Sequence, residues 1–373
     1  MKKIFRFLKL MGKMLLLSSF TLIISGIIFL NLHPVFGGNP DKTEDKIQNS
    51  PNFKNGKFQN INNVSITNDD FSFKQLGEYF FTNGVERTPK NILLSKEFNK
   101  ENFLENNITW FGHSSVLFNT GSQNIITDPI FSRASPVPVF GKPFETEDDF
   151  NAEVLPHLDI VLISHDHYDH LDYKTILEID KKAKKYLVPL GVKAHFKKWG
   201  IDENKVIEFD WYDEIIIGEN KFVFTPTQHF SGRGPLNRAS TLWGSWAIKN
   251  DEKSYFFSGD TGYFDEFKKI GEKYGPFDIV FIENGAYNES WSQIHMMPEQ
   301  SVQVGIDLNA KQIMPIHWAK FDLSLHSWTE PIERFTKEAK KKNIKTFHPQ
   351  IGEIFDENKL PTEKWWLNIE DNQ

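Results

Sequence analysis

The sequence predicts an α/β (α+β) fold in which sheets pack face to face with helices outside them, preceded by a helix that enters a membrane. From residue 106 onward, short apolar runs rich in Ile, Val, Phe and Tyr recur between Gly, Pro, Asp and Asn. Segments with helical periodicity are fewer, at 172–185, 298–309 and 329–343. A separate uncharged apolar run covers residues 14–30. Strands therefore dominate the predicted core, and this last run lies outside it.

The apolar runs are the predicted strands, because they are short, β-branched or aromatic, and bounded by turn residues. In chain order they are ITWFGHSSVLF, NIITDPIF, DIVLISH, KYLVPL, KVIEFD, KFVFTPTQH, SYFFSGD, DIVFIEN and QIMPIHW. With 373 residues the chain can bury a large core made of such strands.

The N-terminal apolar run is long enough to cross a membrane, since about 17–25 residues suffice. Basic residues precede it and no charged residue follows it before Asp41. This flank predicts a single-pass anchor that leaves the rest of the chain on the extracytoplasmic side. The alternative is a cleaved signal peptide that leaves a secreted or periplasmic protein. We expect the anchor, because a signal peptide's apolar region is usually about 7–15 residues and no clear cleavage site follows.

Composition divides the remaining chain into two parts and excludes several classes of protein. Residues 33–105 are polar and rich in Asn, Lys and Phe, which predicts a linker and an irregular extension packed on the core. Residues 106–373 hold the predicted core, and residues 1–32 form the anchor or signal segment. A net charge of −7 argues against nucleic acid as a partner. The absence of cysteine excludes disulfides and thiolate metal ligands.

Several predicted strands end on a residue that can bind metal. His165, His229, Asp260 and His317 each follow such a run. The ends of strands are favourable places for ligands, because the sheet holds the backbone while the loops let side chains converge. The stretch HDHYDH at 165–170 adds three more candidates.

In that stretch His165, His167 and Asp169 are two residues apart, so an extended chain projects them to one side. His170 can join them once the chain turns. Imidazole and carboxylate ligands suit zinc, with manganese or iron as alternatives. A solvated loop that caps the next helix would explain one histidine but not the whole cluster.

Seven such ligands exceed what one tetrahedral ion uses, and they predict two ions. Asp260 is the expected bridge, because a carboxylate has two oxygens and a neutral imidazole cannot span two metals. A hydroxide held between ions about 3.5–4 Å apart is a nucleophile at neutral pH. The predicted chemistry is metal-assisted hydrolysis.

The HDHYDH stretch with the later His, Asp and His resembles the signature of the metallo-β-lactamase superfamily. That resemblance implies an αββα four-layer sandwich and two zinc ions. It implies that one zinc is held by His165, His167 and His229. It implies that the other is held by Asp169, His170 and His317, with Asp260 bridging the two.

A narrower resemblance comes from SPNFKNGKFQN, ITWFGHSSVLF, TDPIFSRASP, LWGSWAI, SGDTGYFDEF, HMMPEQSVQ and IHWAKFDLSLHSWTEP. These blocks resemble the N-acyl-phosphatidylethanolamine-hydrolysing phospholipase D family and its bacterial relatives, over about residues 33–355. The resemblance implies hydrolysis of a phosphodiester in a phospholipid, giving phosphatidic acid and an N-acylethanolamine. The N-terminal anchor departs from the animal enzymes, and bacterial relatives do not all share that lipid substrate.

The same resemblance implies catalytic roles for Asp169, Asp260 and His295. His295 would contact the phosphate or protonate the leaving alkoxide, or else be an exposed loop histidine. His326 is a second candidate for substrate binding. For His113 we expect a hydrogen-bonded core position, and for Asp128 the orientation of a ligand histidine.

Two other readings compete with a phospholipase acting at a membrane. One is a hydrolase of lactones, other esters or nucleic acids on the same fold, and the acidic charge disfavours a nuclease. The other is a non-catalytic receptor, which retention of all seven ligands disfavours. The expected partners are a phospholipid or other small-molecule substrate and the membrane; the sequence does not reveal the oligomeric state.

Overall fold

The computed structural model describes residues 2–64, 85–234 and 236–369. Its first element is a helix, α1 (Lys2–Leu32), which a short 3₁₀ turn follows at Pro34–Phe36. By length and composition this helix is able to cross a membrane, and its apolar window has no residue buried in the rest of the protein. A short helix, α2 (Asp45–Gln48), and a two-stranded hairpin, β1 (Phe53–Lys54) and β2 (Lys57–Phe58), lead toward the core.

The first large sheet is formed by strands that we number along the chain. They are β3 (Ile108–Trp110), β4 (Val116–Asn119), β5 (Asn124–Thr127), β6 (Leu158–Leu162), β7 (Ala183–Pro189), β8 (Val206–Phe209) and β16 (Ile354–Phe355). Their spatial order is β16-β3-β4-β5-β6-β7-β8. Neighbours from β5 to β8 are parallel, whereas β16, β3, β4 and β5 pair antiparallel.

The second large sheet has the same mixed character. Its strands are β9 (Glu214–Ile217), β10 (Asn220–Thr225), β11 (Ser245–Lys249), β12 (Ser254–Phe257), β13 (Ile279–Glu283), β14 (Gln312–Ile316) and β15 (Lys345–Thr346). The spatial order is β15-β14-β13-β12-β11-β10-β9. Strands β12 to β15 are parallel and β9 to β12 antiparallel, so β6, β10, β12, β13 and β14 each direct their carboxyl end to one edge of their sheet.

Helices cover the outer face of each sheet. On the first sheet lie α3 (Tyr173–Ile179) and α4 (Lys193–Trp199), and on the second α5 (Glu266–Tyr274), α6 (Pro298–Asp307) and α7 (Glu330–Lys342). A central apolar cluster fills the space between the sheets, where Phe118, Trp246 and Phe281 are fully buried. The four layers confirm the αββα sandwich, because each sheet buries one face against its partner and the other against helices.

Two of the three predicted helices are confirmed, as α6 and α7. The helix predicted at 172–185 is wrong in its second half, because α3 ends at Ile179 and β7 begins at Ala183. Residues 183–187 pair in parallel with β6, and this ladder overrides the helical pattern predicted as far as residue 185. The short helices α4 and α5 and the strands β9 and β11 were absent from the predicted elements.

A stack of tryptophans supports the loop that follows β14. Trp318 stacks on Trp110 with ring centroids 5.4 Å apart and on Trp365 at 5.5 Å. Its Nε1 donates to Pro315 O. The C-terminal segment thereby packs directly behind residue 317, and His348 closes its far side by packing edge-on against Trp366 at 4.8 Å.

The buried imidazole of His348 predicts acid sensitivity of folding. Burial lowers the pKa of His348 from 6.5 to about 4, although its hydrogen bond to Glu363 O opposes this shift. The unfolded chain therefore takes up the proton first, so the stabilisation is fully present above pH 6.5 and is lost as the pH falls toward 4. The loss amounts to about 3 kcal/mol.

We expect His348→Gln to flatten the dependence of unfolding free energy on pH over that range, because Gln keeps a donor for Glu363 O and does not titrate. Urea unfolding of the full chain in detergent, followed by tryptophan fluorescence, measures this dependence. His157→Gln, at an exposed position, should keep the wild-type slope. If the pH dependence of the unfolding free energy were unchanged in His348→Gln, the acid sensitivity would come from other residues.

Candidate metal centre

Metal-capable side chains from both sheets converge at the edge where the strands end. His165 follows β6, His229 follows β10, Asp260 follows β12 and His317 follows β14. All four are buried, with at most 3% of each exposed. The sandwich thus places groups from distant parts of the sequence in one cluster.

The first group of the cluster contains three imidazoles. His165 Nε2 lies 2.9 Å from His167 Nδ1, and His229 Nε2 lies 3.3 Å from the same atom. A tetrahedral ion with Zn–N bonds of about 2.0–2.1 Å spaces its ligands at about 3.3 Å. These separations therefore fit three ligands of one ion.

The second group combines carboxylates and imidazoles. Asp169 Oδ2 lies 3.5 Å from His170 Nε2 and 3.6 Å from His317 Nε2. Asp260 adjoins both groups. Its Oδ2 lies 3.1 Å from His170 Nε2 and 3.8 Å from the Nε2 atoms of His165 and His229, and its Oδ1 lies 3.1 Å from His317 Nε2.

The outward-facing ring nitrogens are held by hydrogen-bond partners in most of these histidines. His229 Nδ1 contacts Ile294 O at 3.0 Å, and His165 Nδ1 contacts Ser164 Oγ at 2.9 Å. His170 Nδ1 contacts Asp128 Oδ2 at 2.7 Å. Such partners orient a ligand imidazole and leave Nε2 as the nitrogen that faces the cluster.

Asp128 confirms the prediction that it orients a histidine of the cluster. It is fully buried, and its carboxylate accepts from Ser164 N at 2.8 Å and Ser164 Oγ at 2.5 Å. Ser164 in turn contacts His165. Through these contacts Asp128 orients His170 directly and His165 through one hydroxyl group.

The chemistry of the donor set fits metal ions. His170 Nε2, His317 Nε2 and Asp260 Oδ1 are buried without a hydrogen-bond partner, although they face one another. An unsatisfied buried polar atom is costly, and a shared cation satisfies several at once. The ligand atoms of His165, His167 and His229 lie within 4.8 Å of one another, as do those of Asp169, His170 and His317.

The electrostatics of the two groups differ. Burial lowers the pKa of His165 and His229 well below 6.5, so these imidazoles are neutral. Burial also opposes protonation of His317, but the carboxylates of Asp260 and Asp169 outweigh it and raise the pKa to about 10. A bound cation replaces such protons, because ligand imidazoles must be neutral. Acid therefore competes with metal.

His113 lies beneath the second group and confirms the expected buried, hydrogen-bonded position. It is 2% exposed, and its Nε2 contacts Asp169 Oδ2 at 3.0 Å. Burial and the neighbouring His317 lower the pKa of His113 to about 3. Both residues adopt left-handed backbone, with φ of 54° for His113 and 66° for His317. Such conformations cost energy and concentrate at functional sites.

His295 lies beside the cluster, and its Nδ1 is hydrogen-bonded to Glu283 Oε1. Glu283 is the fully buried last residue of β13. Burial and then Asp260 raise the pKa of Glu283 well above 4.5, and burial lowers the pKa of His295 to about 4. The sequence had a signal for Glu283, because DIVFIEN also places a carboxylate where a strand ends, yet it was not among the predicted site residues.

His326 lies behind the cluster rather than on the open side. Its ring stacks on Tyr287 at 4.3 Å and its Nδ1 contacts Ser327 O at 2.9 Å. It lines a small cavity together with His113 and His317. Its role in substrate binding stays a prediction.

A pocket of about 420 Å³ opens onto the cluster. The residues His167, Asp169, Asp260, His295 and His317 form its floor. Its walls are formed by apolar side chains and one arginine, Arg238. The apolar residues are Phe230, Ala286, Trp291, Ile294 and Leu323. The sequence did not identify the apolar wall residues, because nothing in their local pattern distinguishes them from core residues.

The fold and the cluster define a metal-dependent hydrolase of the metallo-β-lactamase fold, and comparison with known proteins agrees. A model of the beta-lactamase superfamily domain matches residues 123–318. An uncharacterized protein of Mycobacterium tuberculosis is 35% identical over 328 residues, which cover 86% of this chain and 88% of that protein. The chain belongs to the beta-lactamase superfamily.

One further relative and one solved structure are also similar to this chain. N-acyl-phosphatidylethanolamine-hydrolyzing phospholipase D 1 of Caenorhabditis elegans is 35% identical over 249 residues, covering 63% of this chain and 69% of that protein. A solved structure of a metallo hydrolase from Ignicoccus hospitalis matches with a TM-score of 0.51 at 21% identity, over 67% of this chain and 97% of that one. The first is a homologue with a named lipid substrate, and the second agrees in fold.

The contacts of Asp128 predict an effect on metal affinity without a change of ligand. We expect Asp128→Asn to weaken metal binding about 10–100-fold, because His170 and His165 lose the group that orients them. Competition with a chromogenic chelator measures the affinity. Asp159→Asn is the matched control, since Asp159 lies at the opposite end of β6 and contacts Asn124 N and Lys184. Equal affinities for both variants would contradict the orienting role.

Proposed function

We propose that this protein is a phospholipase D-type phosphodiesterase that uses two metal ions to cleave N-acyl-phosphatidylethanolamine-like phospholipids. Zinc is the proposed metal, with manganese or iron as alternatives that the same ligands accommodate. The observation that carries the proposal is the pocket, in which a buried His/Asp cluster lies beneath apolar walls and a single arginine. The homologous phospholipase D of Caenorhabditis elegans supports the same substrate class.

The proposed ligands fall into the two groups that the distances between their nitrogen and oxygen atoms define. One ion would be held by His165, His167 and His229. The other would be held by Asp169, His170 and His317, with Asp260 shared. When bound, the ions supply a hydroxide nucleophile at neutral pH and positive charge that offsets the charge of a phosphodiester transition state.

His295 is the proposed group that handles a proton on the leaving oxygen. Its Nδ1 is occupied by Glu283, so Nε2 remains to meet a substrate in the pocket. The hydrogen bond to the carboxyl group of Glu283 keeps the ring in one orientation, as a buried acidic partner does for a catalytic histidine. His326, stacked behind the cluster, remains proposed as a substrate-binding residue.

The walls of the pocket suit an amphipathic substrate. Phe230, Trp291 and Leu323 offer apolar surface to hydrocarbon. Arg238 stands over the Phe230 ring at 4.6 Å and can pair with a phosphate oxygen. A phosphodiester whose one arm is lipid satisfies both kinds of contact.

We propose further that α1 is a single-pass anchor that leaves the catalytic portion on the extracytoplasmic side. The five basic residues that precede the apolar run support this orientation, because such residues are retained in the cytoplasm. They are Lys2, Lys3, Arg6, Lys9 and Lys13. An anchored enzyme would meet its lipid substrate without diffusion through water.

A headgroup-release assay tests the proposed activity. The full chain, purified in detergent and loaded with zinc, is given a panel of phospholipids that includes N-acylated phosphatidylethanolamine, together with simple lactones. We expect phosphatidic acid to be released from the N-acylated lipid, and His167→Ala to reduce the rate at least about 10²-fold by removing a metal ligand. His157→Ala, an exposed histidine outside the cluster, should retain the wild-type rate.

Equal release by wild type and His167→Ala would refute the phosphodiesterase. Hydrolysis of lactones without release of phosphatidic acid would instead assign the chain to the lactone-hydrolysing alternative on the same fold.

A further inference from the structure

The segment that follows α1 is packed on the catalytic domain. We call residues 33–39 the juxtamembrane clamp. His33 N donates to Phe29 O at 3.0 Å, and the Phe29 ring packs edge-on against Phe36 at 5.2 Å. The helix therefore continues into the clamp through ordered contacts.

Arg233 binds the clamp to the loop that carries the HDHYDH stretch. Its side chain is 1% exposed. Nε and Nη2 donate to Val35 O at 3.0 and 2.7 Å, and Nη1 donates at 2.7 Å to both Asp166 O and Leu171 O. A buried guanidinium that satisfies three carbonyls from two segments makes both segments depend on one side chain.

Other contacts make the clamp close-fitting. Trp199 Nε1 donates to Pro34 O at 2.7 Å, and Phe36 packs edge-on against Tyr168 at 6.3 Å. Gly37 has φ of 68° and lies against His195, and a Cβ at Gly38 would lie 2.2 Å from Ala194 O. Glycine is required at such positions, because a side chain would force the clamp away from α4.

A further contact connects the clamp to residues beside the pocket. Asn237 Nδ2 lies 3.4 Å from Asn39 Oδ1, so the neighbours of Asn237 adjoin the clamp. Leu236 is 97% exposed, and Arg238 lines the pocket. Lys54 and Lys57 of the β1–β2 hairpin line an adjoining cavity together with Arg238. We call Leu236, Arg238, Lys54 and Lys57 the rim.

We propose that the juxtamembrane clamp, locked by Arg233, holds the rim against the surface of the bilayer that contains α1, so that the pocket opens toward lipid. This inference rests on the proposed anchor and on the proposed lipid substrate. Leu236 would enter the interfacial region, and the three cations of the rim would meet lipid phosphates.

The distances along the chain support this arrangement. From Leu32, the last residue of α1, to Val35, the chain can extend at most about 11 Å. The headgroup layer on each side of a bilayer is about 5–7 Å deep, so Val35 and its partner Arg233 must stay near it. A fully exposed leucine beside basic residues is typical of a surface that meets lipid headgroups.

The absence of cysteine allows a direct test with single labels. The full chain carrying Leu236→Cys is labelled with an environment-sensitive fluorophore and reconstituted in vesicles of phosphatidylcholine and phosphatidylglycerol that contain a lipid-borne quencher. We expect strong quenching at position 236. The matched control is Leu104→Cys, 65% exposed beside Asn107 at the opposite end of the first sheet, where we expect none. Equal, weak quenching at both positions would overturn the proposal.

A second variant tests the clamp itself. A flexible Gly/Ser linker of about twelve residues is inserted between Leu32 and His33, which leaves every contact of Arg233 in place. We expect quenching at position 236 to fall severalfold, because the domain can then leave the bilayer surface. Unchanged quenching after insertion would show that the clamp does not hold the rim. The proposal would also be overturned if the expressed full chain were recovered with α1 cleaved off and did not bind vesicles.

The fluorescence readout requires no turnover, so the two proposals fail separately. Quenching at position 236 without headgroup release refutes the phosphodiesterase and retains the membrane-facing rim. Headgroup release without quenching refutes the rim and retains the phosphodiesterase.

Discussion

The buried carboxylate of Asp260 is the interaction on which the rest of the site depends. It lies 3.1 Å from imidazoles of both His170 and His317, although these residues come from different sheets. Burying so many polar groups is costly unless each has a partner. Hydrogen bonds to Asp128, Ser164 and Ile294 O hold the outer nitrogens of His170, His165 and His229. The inner atoms of the cluster face mainly one another. A metal ion would supply positive charge that these inner atoms share, and this charge would make their burial favourable.

The loops that carry the cluster are held both by the sandwich and by the clamp. The two sheets bring the ends of their strands to a common edge, and the tryptophan stack behind Trp318 supports the loop of His317. Arg233 ties the carbonyls of Asp166 and Leu171 to Val35. The loop of the HDHYDH stretch is thus held between the core and the segment that leaves α1, which would link the chemistry of the site to the proposed anchor.

Much of the fold could be predicted from the sequence, because buried strands and an uncharged apolar run leave strong local patterns. The convergence of His165, His229, Asp260 and His317 followed from one rule, that each terminates a strand. The second half of the helix predicted at 172–185 failed because parallel pairing with β6 decided it. The contact of Arg233 with Val35 joins residues 198 positions apart, and no local pattern announces such a contact.

The most direct test of this account is anomalous X-ray diffraction from crystals of the full chain grown with zinc. The account predicts two anomalous peaks about 3.5–4 Å apart, with Asp260 between them. One peak should contact His165, His167 and His229, and the other Asp169, His170 and His317. A map with a single peak, or with none among these seven side chains, would contradict the paired metal centre.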